Sequence, residues 1–298
     1  MISEPFVANF SRVALNPDPD LAVAALMIAR LERPRLDAGP YLDHLETLGR
    51  EAAQRVAAAE VPRRDAPSDV DAEAWAEVTA LNDYLFAEQG FVGNDTRYDD
   101  PRNSCLNEVL DRRTGIPITL ALVYLEVARR AGVAVEGVNF PGHFLLRCRA
   151  RRRQARDLII DAFHGGALLS EDACRVLLQR HVGEDAAWDD RALVRATKPQ
   201  ILCRMLVNLK RVYVRMHSYP QAHDATELLL AIDPTAAAEL RDRGLLAYHL
   251  NDFSGALRDL QSYLEVSSRH QVDEEGRDEQ ARIWEHIKTI RRRVASFN

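Results

Sequence analysis

One stretch of this sequence, residues 115–132, constrains the fold more than any other because it is apolar around most of its circumference. It reads GIPITLALVYLEVARRAG, with a proline near its start, where the missing N–H group costs nothing. It closes on Arg129, Arg130 and Gly132, and cations followed by glycine are typical of a helix C-terminus. A surface helix has a polar face and this one has almost none, so we predict a buried central helix.

Three strand-like segments follow the predicted helix directly. They cover residues 133–140, 143–149 and 157–163, with Pro141 and Gly142 marking a turn between the first two. The part of the chain before the helix shows mostly helical periodicity. The first domain is therefore expected to be α+β, mostly helical with a small antiparallel sheet.

An arginine-rich run, residues 147–156, separates the second and third strand segments. We interpret it as a solvated hairpin tip, with an acidic partner or nucleic acid as the alternative. The net charge of −6 and sequence pI near 5.9 argue against a general nucleic-acid binder, which normally carries a basic excess.

Composition and the chain start indicate a cytoplasmic protein. No apolar run approaches the roughly 18 residues that a membrane span requires. The first residues lack the basic and apolar regions of a signal peptide. The four cysteines lack CxxC spacing and are expected to be reduced thiols.

From residue 201 onward the pattern is helical only, and apolar side chains recur at a constant interval. The matching pairs are Leu206 and Leu240, Val212 and Leu246, Tyr219 and Phe253, Ala222 and Ala256, and Leu230 and Leu264. This spacing resembles that of tetratricopeptide repeats, which are helix–turn–helix units. Two copies are fewer than the three or so that usually form a stable stack. We expect the helix at 274–296 or the N-terminal domain to cover the stack.

We place the domain boundaries at 1–185, with a core at 100–180, and at 197–298. The second domain is expected to be all-α and tetratricopeptide-like. Such stacks present a concave surface to peptides and partner helices, so the expected partner is a protein or peptide. Tyr213 and Tyr248 are the residues expected to contact that partner.

Catalysis by a nucleophile, a base and an orienting carboxylate is one chemistry that the strand segments could support. His143 opens the second segment and Asp161 lies on the third, so strand pairing could place them together. Cys105 is the thiol nearest in sequence to the central helix, and Thr119 offers a hydroxyl in its first turn. Either is a candidate nucleophile, although a buried cysteine is usually inert and a helical threonine often bonds its own backbone.

Further polar residues near this position have two interpretations. Asn103, Asn107 and Glu108 either cap the short helix before the central one or line a pocket facing His143. Glu108 could also join His143 in general acid–base chemistry without a covalent step. His164 could add a second imidazole beside Asp161. No metal or cofactor is expected, since the sequence has no HExxH, cysteine–histidine or glycine-rich phosphate motif.

The blocks NSCLNEVLDRRTGIPITLALVYLEVARR, GVNFPGHFLLR and IDAFHGG resemble the transglutaminase-like core of the SirB family. The resemblance covers residues 15–180 and the repeats, and it implies a transglutaminase-like fold followed by tetratricopeptide repeats. In the wider superfamily the triad is cysteine, histidine and aspartate. The resemblance places the histidine on His143 and the aspartate on Asp161, while the cysteine position falls at Pro117 or Ile118, which have no thiol.

Two functions remain open at this point. The first is a pseudoenzyme: a non-catalytic binding and regulatory protein of bacteria whose repeats dock a protein. The second is a cysteine-type hydrolase or acyl transferase using Cys105, His143 and Asp161.

Overall fold

The structure is a computed structural model that describes residues 1–18, 20–59, 67–268 and 274–295. Its helices are α1 (Glu4–Ala14), α2 (Leu21–Ala29), α3 (Gly39–Ala58), α4 (Ala72–Asn82), α5 (Leu106–Arg112), α6 (Pro117–Arg130), α7 (Glu171–Val182), α8 (Lys198–Arg215), α9 (Tyr219–Ile232), α10 (Ala237–His249), α11 (Phe253–Ser267) and α12 (Glu274–Ala295). Its strands are β1 (Val92–Gly93), β2 (Thr114–Gly115), β3 (Val135–Val138), β4 (Leu145–Cys148), β5 (Leu158–Asp161) and β6 (Ala167–Leu169). The α+β class predicted from the sequence is confirmed.

The chain forms two compact units. The core unit is Pro17–Met205, and the repeat unit joins Met1–Asn16 to Leu206–Asn298. The segment Met1–Asn16 therefore packs with the C-terminal helices, whereas the sequence-based boundaries assigned it to the first domain. The boundaries 1–185 and 197–298 stay a prediction.

The sheet of the core unit is an antiparallel meander in the order β3-β4-β5-β6. Leu146 pairs with Gly137 on one side and Ile160 on the other, and Asp161 pairs with Ala167. The two-residue strands β1 and β2 pair in parallel beside it. Strand pairing thus brings the start of β4 close to the end of β5.

Helix α6 is the buried centre of the core unit, as predicted. Pro117 occupies its first turn, and the Thr119 hydroxyl accepts a hydrogen bond from the Ile116 amide at 3.1 Å. Glu126, buried near its end, forms an ion pair with Arg130. Helix α3 comes so close that a Cβ atom on Gly49 would overlap the Arg130 side chain. The Thr119 hydrogen bond thus fixes the first turn of α6, and the contacts of Arg130 fix its C-terminal end.

The arginine-rich hairpin between β4 and β5 makes ion pairs within its own unit. Arg151 contacts Glu73 and Glu77 of α4 at 3.2 and 2.7 Å, and Arg156 contacts Asp69 at 2.7 Å. The hairpin is therefore neutralised in part by neighbouring carboxylates, which weakens the case for an external acidic partner.

The repeat unit consists of antiparallel helix pairs. Ala222 and Ala256, which occupy equivalent positions of the two repeats, are both fully buried. Gly244 of α10 lies against Leu260 of α11. Helix α1 packs on α9, and Ile283, Ile287 and Ile290 of α12 lie in the core formed with α10 and α11. Residue 296, the predicted end of this last helix, lies outside the described residues.

Among the described residues, none of the helices combines the length and apolarity that a membrane-spanning segment needs.

Candidate functional site

The site lies where the loop before β4 meets the end of β5. Gly142 in the preceding turn has a φ of 72°, and a Cβ atom there would overlap the His181 side chain, so the position requires glycine. The turn places His143 directly before β4, with its amide donating to the Phe140 carbonyl at 3.1 Å. Asp161 is the last residue of β5, and a single 3-10 turn carries His164.

Two histidines share the carboxylate of Asp161. Nε2 of His143 lies 3.0 Å from one oxygen, and Nδ1 of His164 lies 2.8 Å from the other. The amides of Phe163 and His164 donate to the oxygen that faces His143, at 3.0 and 3.4 Å. The carboxylate is thereby held in one orientation between two imidazole rings.

Burial and hydrogen bonding act in opposite directions on Asp161, which is 2% exposed. Burial raises the pKa of this carboxyl, but hydrogen bonds and charge from His143 and then His164 lower it below its ordinary value. His143 is also buried, whereas the His164 side chain is about half exposed. The cluster therefore has an anionic, buried interior and one side open to solvent.

Aromatic rings fix the orientation of His143. The His181 ring stacks on it at 5.5 Å between centroids, and the Phe163 ring meets it edge-on at 6.1 Å. Burial, together with the neighbouring His143, lowers the pKa of His181. Tyr98 contacts Phe163 edge-on from the loop before α5.

Sequence reasoning missed His181, Phe163 and Tyr98. His181 comes from the end of α7, and no local spacing relates it to His143.

Cys105 is fully buried at the start of α5. Its thiol donates a weak hydrogen bond to the Pro101 carbonyl at 3.6 Å. Burial raises the pKa of this thiol far above its ordinary value, with nearby carboxylates adding to the effect. A catalytic thiol needs a lowered pKa, so this environment is unsuited to a nucleophile.

Asn103 and Thr119 form a polar link between the loop before α5 and the first turn of α6. The Thr119 hydroxyl donates to the Asn103 carbonyl at 2.6 Å. The Asn103 side chain accepts from Asn94 and Arg112 and donates to the Arg97 carbonyl. Both side chains are buried and hydrogen-bonded, so a structural role is sufficient to explain these two polar residues.

The described contacts of Asn107 and Glu108 lead away from His143. Glu108 lies 3.8 Å from Arg33 and 3.5 Å from Arg112, and Asn107 donates weakly to Glu108. Arg33 lines a separate open cavity of about 760 Å³ between residues 33–44 and Asp111. The structure therefore brings together His143, Asp161 and His164, and none of their described contacts involves Cys105, Asn107 or Glu108.

The two tyrosines expected to bind a partner differ in exposure. Tyr213 is 1% exposed, whereas Tyr248 is half-buried and contacts Phe253 and His249. Tyr248 is partly exposed to solvent and packs against the hydrophobic core of the repeat unit. Binding by either residue stays a prediction.

The cluster combines a buried carboxylate with two imidazoles, which are groups suited to proton transfer, and its His164 side chain is exposed to solvent. Its carboxylate orients His143, as the third member of a catalytic triad would. The residues at the first turn of α6, Pro117 and Ile118, are both buried and supply no nucleophile. The arrangement retains a base and an orienting group.

Comparison with known proteins agrees with the two-part organisation. A family model described as transglutaminase-like superfamily matches residues 40–207, and one described as tetratricopeptide repeat matches residues 209–287. A UPF0162 protein of Xylella fastidiosa (strain Temecula1) is 37% identical over 281 residues, covering 92% of this chain and 94% of the relative. A UPF0162 protein of Pseudomonas aeruginosa is 31% identical over 264 residues, covering 89% of this chain and 90% of the relative.

Another relative matches only part of the chain. The F-box only protein 21 of Homo sapiens is 37% identical over 179 residues, which cover 57% of this chain and 28% of that protein.

Proposed function

This chain belongs to the transglutaminase-like superfamily, and on that premise we propose that it is a non-catalytic, regulatory member that binds a protein or peptide through its repeats. The single observation that carries the proposal is the missing nucleophile at the start of α6. The resemblance to the SirB family implies that His143 and Asp161 occupy the histidine and aspartate positions of the superfamily, and that the cysteine position falls at Pro117 or Ile118.

Thr119 and Cys105, the two candidates to replace the cysteine, lie in environments that do not suit a nucleophile. The Thr119 hydroxyl donates to one backbone carbonyl and accepts from a backbone amide. The Cys105 thiol is buried with a raised pKa. Neither environment supports attack on a carbonyl carbon, because the hydroxyl lacks an imidazole partner among its described contacts and the thiol stays protonated.

The repeat unit supports the binding half of the proposal. Tetratricopeptide stacks of helix pairs present a surface that fits peptides or partner helices. The resemblance to the SirB family supports a regulatory role in bacteria. The cysteine spacing, which indicates reduced thiols, supports a cytoplasmic location.

A cysteine hydrolase or acyl transferase using Cys105, His143 and Asp161 is the second candidate. It is favoured by one observation, the 3.0 Å contact between His143 and Asp161, which is the base–orienter half of a triad.

Thiol alkylation of the native full chain distinguishes the two candidates. We expect iodoacetamide to label the partly exposed Cys203 and to leave Cys105 unmodified until the chain is unfolded. Mass spectrometry of each cysteine gives the rates, and Cys105→Ser is the control for peptide assignment. Labelling of native Cys105 faster than a free cysteine, slowed by His143→Ala, would overturn the non-catalytic assignment.

A peptide-binding measurement tests the proposed role of the repeats. We expect a peptide selected from a displayed library on the full chain to lose at least tenfold in affinity for Tyr248→Ala. Tyr41→Ala, which lies in the core unit, is the matched control and should bind normally. Equal affinities for both variants and the native chain would argue against the proposed binding surface.

A further inference from the structure

We propose that His143, Asp161 and His164 form a binding site for a divalent transition-metal cation of the zinc type. Each residue offers one ligand atom, and these atoms all lie within 4.8 Å of one another. The set consists of two imidazole nitrogens and one carboxylate oxygen, a donor combination that zinc and neighbouring first-row metals accept.

The donors must rearrange slightly to reach the spacing of a formed site. In a tetrahedral zinc site with bonds of about 2.0–2.2 Å, ligand atoms lie about 3.4 Å apart. The nitrogen–oxygen distances here are 3.0 Å for His143 and 2.8 Å for His164, each to a different oxygen of Asp161, and the three donor atoms lie within 4.8 Å of one another. A cation bound by both nitrogens and one carboxylate oxygen therefore requires displacements of about one ångström.

Coordination replaces the two histidine–aspartate hydrogen bonds. Each neutral imidazole presents the lone pair of the nitrogen that faces the carboxylate, so its proton resides on the other ring nitrogen. The Asp161 carboxylate supplies an oxygen and one negative charge. The N–H bond on the nitrogen that faced the carboxylate is broken and an N–H bond forms on the other ring nitrogen by proton exchange with solvent, and no oxidation or reduction takes place.

The surrounding residues hold these ligands in place before any ion arrives. The amides of Phe163 and His164 orient the Asp161 carboxylate from behind. The His143 ring is held between the His181 face and the Phe163 edge. Outer contacts of this kind orient the metal ligands and typically affect metal affinity by about 10–100-fold.

The half-exposed side chain of His164 gives a cation access to the cluster from solvent. His143 and Asp161 are almost fully buried, while His164 closes the cluster from the solvent side and is half exposed. Three protein ligands with one open side match the arrangement of zinc sites that keep a fourth position for water or another small ligand. Imidazole donors disfavour calcium and magnesium, which prefer oxygen.

The contact of His164 with Asp161 is not explained by a base and its orienting carboxylate alone. Orienting a catalytic base needs one imidazole on the carboxylate. Here the second oxygen of Asp161 is directed to a second imidazole, although that ring could extend into water.

Metal titration of the untagged full chain after chelator treatment tests the proposal. We expect one equivalent of Zn²⁺ to bind with a micromolar or lower Kd in calorimetry. We also expect Co²⁺ bound at the same site to show the visible absorption of a four- or five-coordinate centre. Zn²⁺ should raise the Tm, since a ligand that binds the folded state stabilises it.

Variants then locate the metal. His164→Ala removes a half-exposed ring and should fold normally, yet weaken Zn²⁺ binding at least 30-fold. His286→Ala removes an exposed histidine of α12 and should bind as the native chain does. His143→Ala, checked by circular dichroism, provides a second variant within the cluster. Binding of less than one equivalent, or equal affinity for His164→Ala and His286→Ala, would overturn the proposal.

Discussion

At the scale of single residues, the carboxylate of Asp161 determines the arrangement of the site. It accepts from two backbone amides and contacts two imidazoles, so both of its oxygens are used. A buried carboxylate with fewer partners would be protonated or excluded from the interior. These partners keep the Asp161 carboxylate charged. The charged carboxylate in turn holds His143 in one orientation in the buried part of the cluster.

A second buried carboxylate, Asp71, gives a prediction about pH. Burial raises its pKa, but hydrogen bonds from the amides of Ala74, Arg152 and Glu73, with the Arg152 charge, lower it below the ordinary 3.8. A carboxyl with a lowered folded-state pKa stabilises the fold above its unfolded pKa. That contribution is lost as the pH falls through the folded-state value.

Asp71→Asn should keep the helix cap and remove the charge. We expect a loss of about 1 kcal/mol of unfolding free energy at pH 7, and a smaller difference from the native chain at pH 3. Urea unfolding at both pH values measures this. A variant deficit that grows on acidification would contradict the assignment.

At the scale of secondary-structure elements, close approach of helices depends on small residues. A Cβ atom on Gly244 would lie 2.8 Å from Cγ of Leu260 and 3.2 Å from the Leu260 backbone nitrogen. The Leu260 side chain must therefore shift, and the α11 backbone must give by a few tenths of an ångström, if this glycine is replaced, which is costly because interiors are close-packed.

Gly244→Ala is thus expected to destabilise the repeat unit by about 1–2 kcal/mol, although alanine favours a helix more than glycine does. Thermal unfolding followed by circular dichroism measures the effect. Gly39→Ala at the start of α3 is the matched control, because a Cβ atom there meets only Asp37, at ordinary contact distance. A Gly244→Ala variant as stable as the control would mean that α10 and α11 pack less closely.

At the scale of the whole molecule, the segment Met1–Asn16 belongs to the unit formed by the last helices. Ser11 donates to the Ala231 carbonyl at 2.9 Å, and the Ile2 amide donates to Asp224 at 3.0 Å. Phe10 is fully buried in α1. Helix α1 thus covers a face of α9 that two repeats alone would leave exposed.

Phe10→Ala should therefore loosen the repeat unit, at an expected cost of about 3–4 kcal/mol for a buried aromatic side chain. Hydrogen exchange followed by mass spectrometry should show faster exchange of the α9 amides. Phe6→Ala, which truncates a less buried phenylalanine of the same helix, should have a smaller effect. Unchanged α9 protection in Phe10→Ala would contradict the packing of α1 on α9.

The sequence by itself determined the elements whose signals are local. The apolar run at 115–132 predicted the buried helix, the β-rich segments predicted the antiparallel strands, and the regular repeat spacing predicted the helix pairs. Each of these follows from periodicity or turn chemistry within a short stretch of chain. Proximity of His143 to Asp161 was also predictable, since consecutive antiparallel strands pair as neighbours.

Only the tertiary structure decided how the polar side chains are partnered. It stacked His181 on His143, buried the Cys105 thiol and joined α1 to the C-terminal helices. These outcomes depend on contacts between segments distant in sequence, and on burial, which sets the pKa of a thiol or carboxyl. Residue type and spacing carry no information about either until the chain has packed.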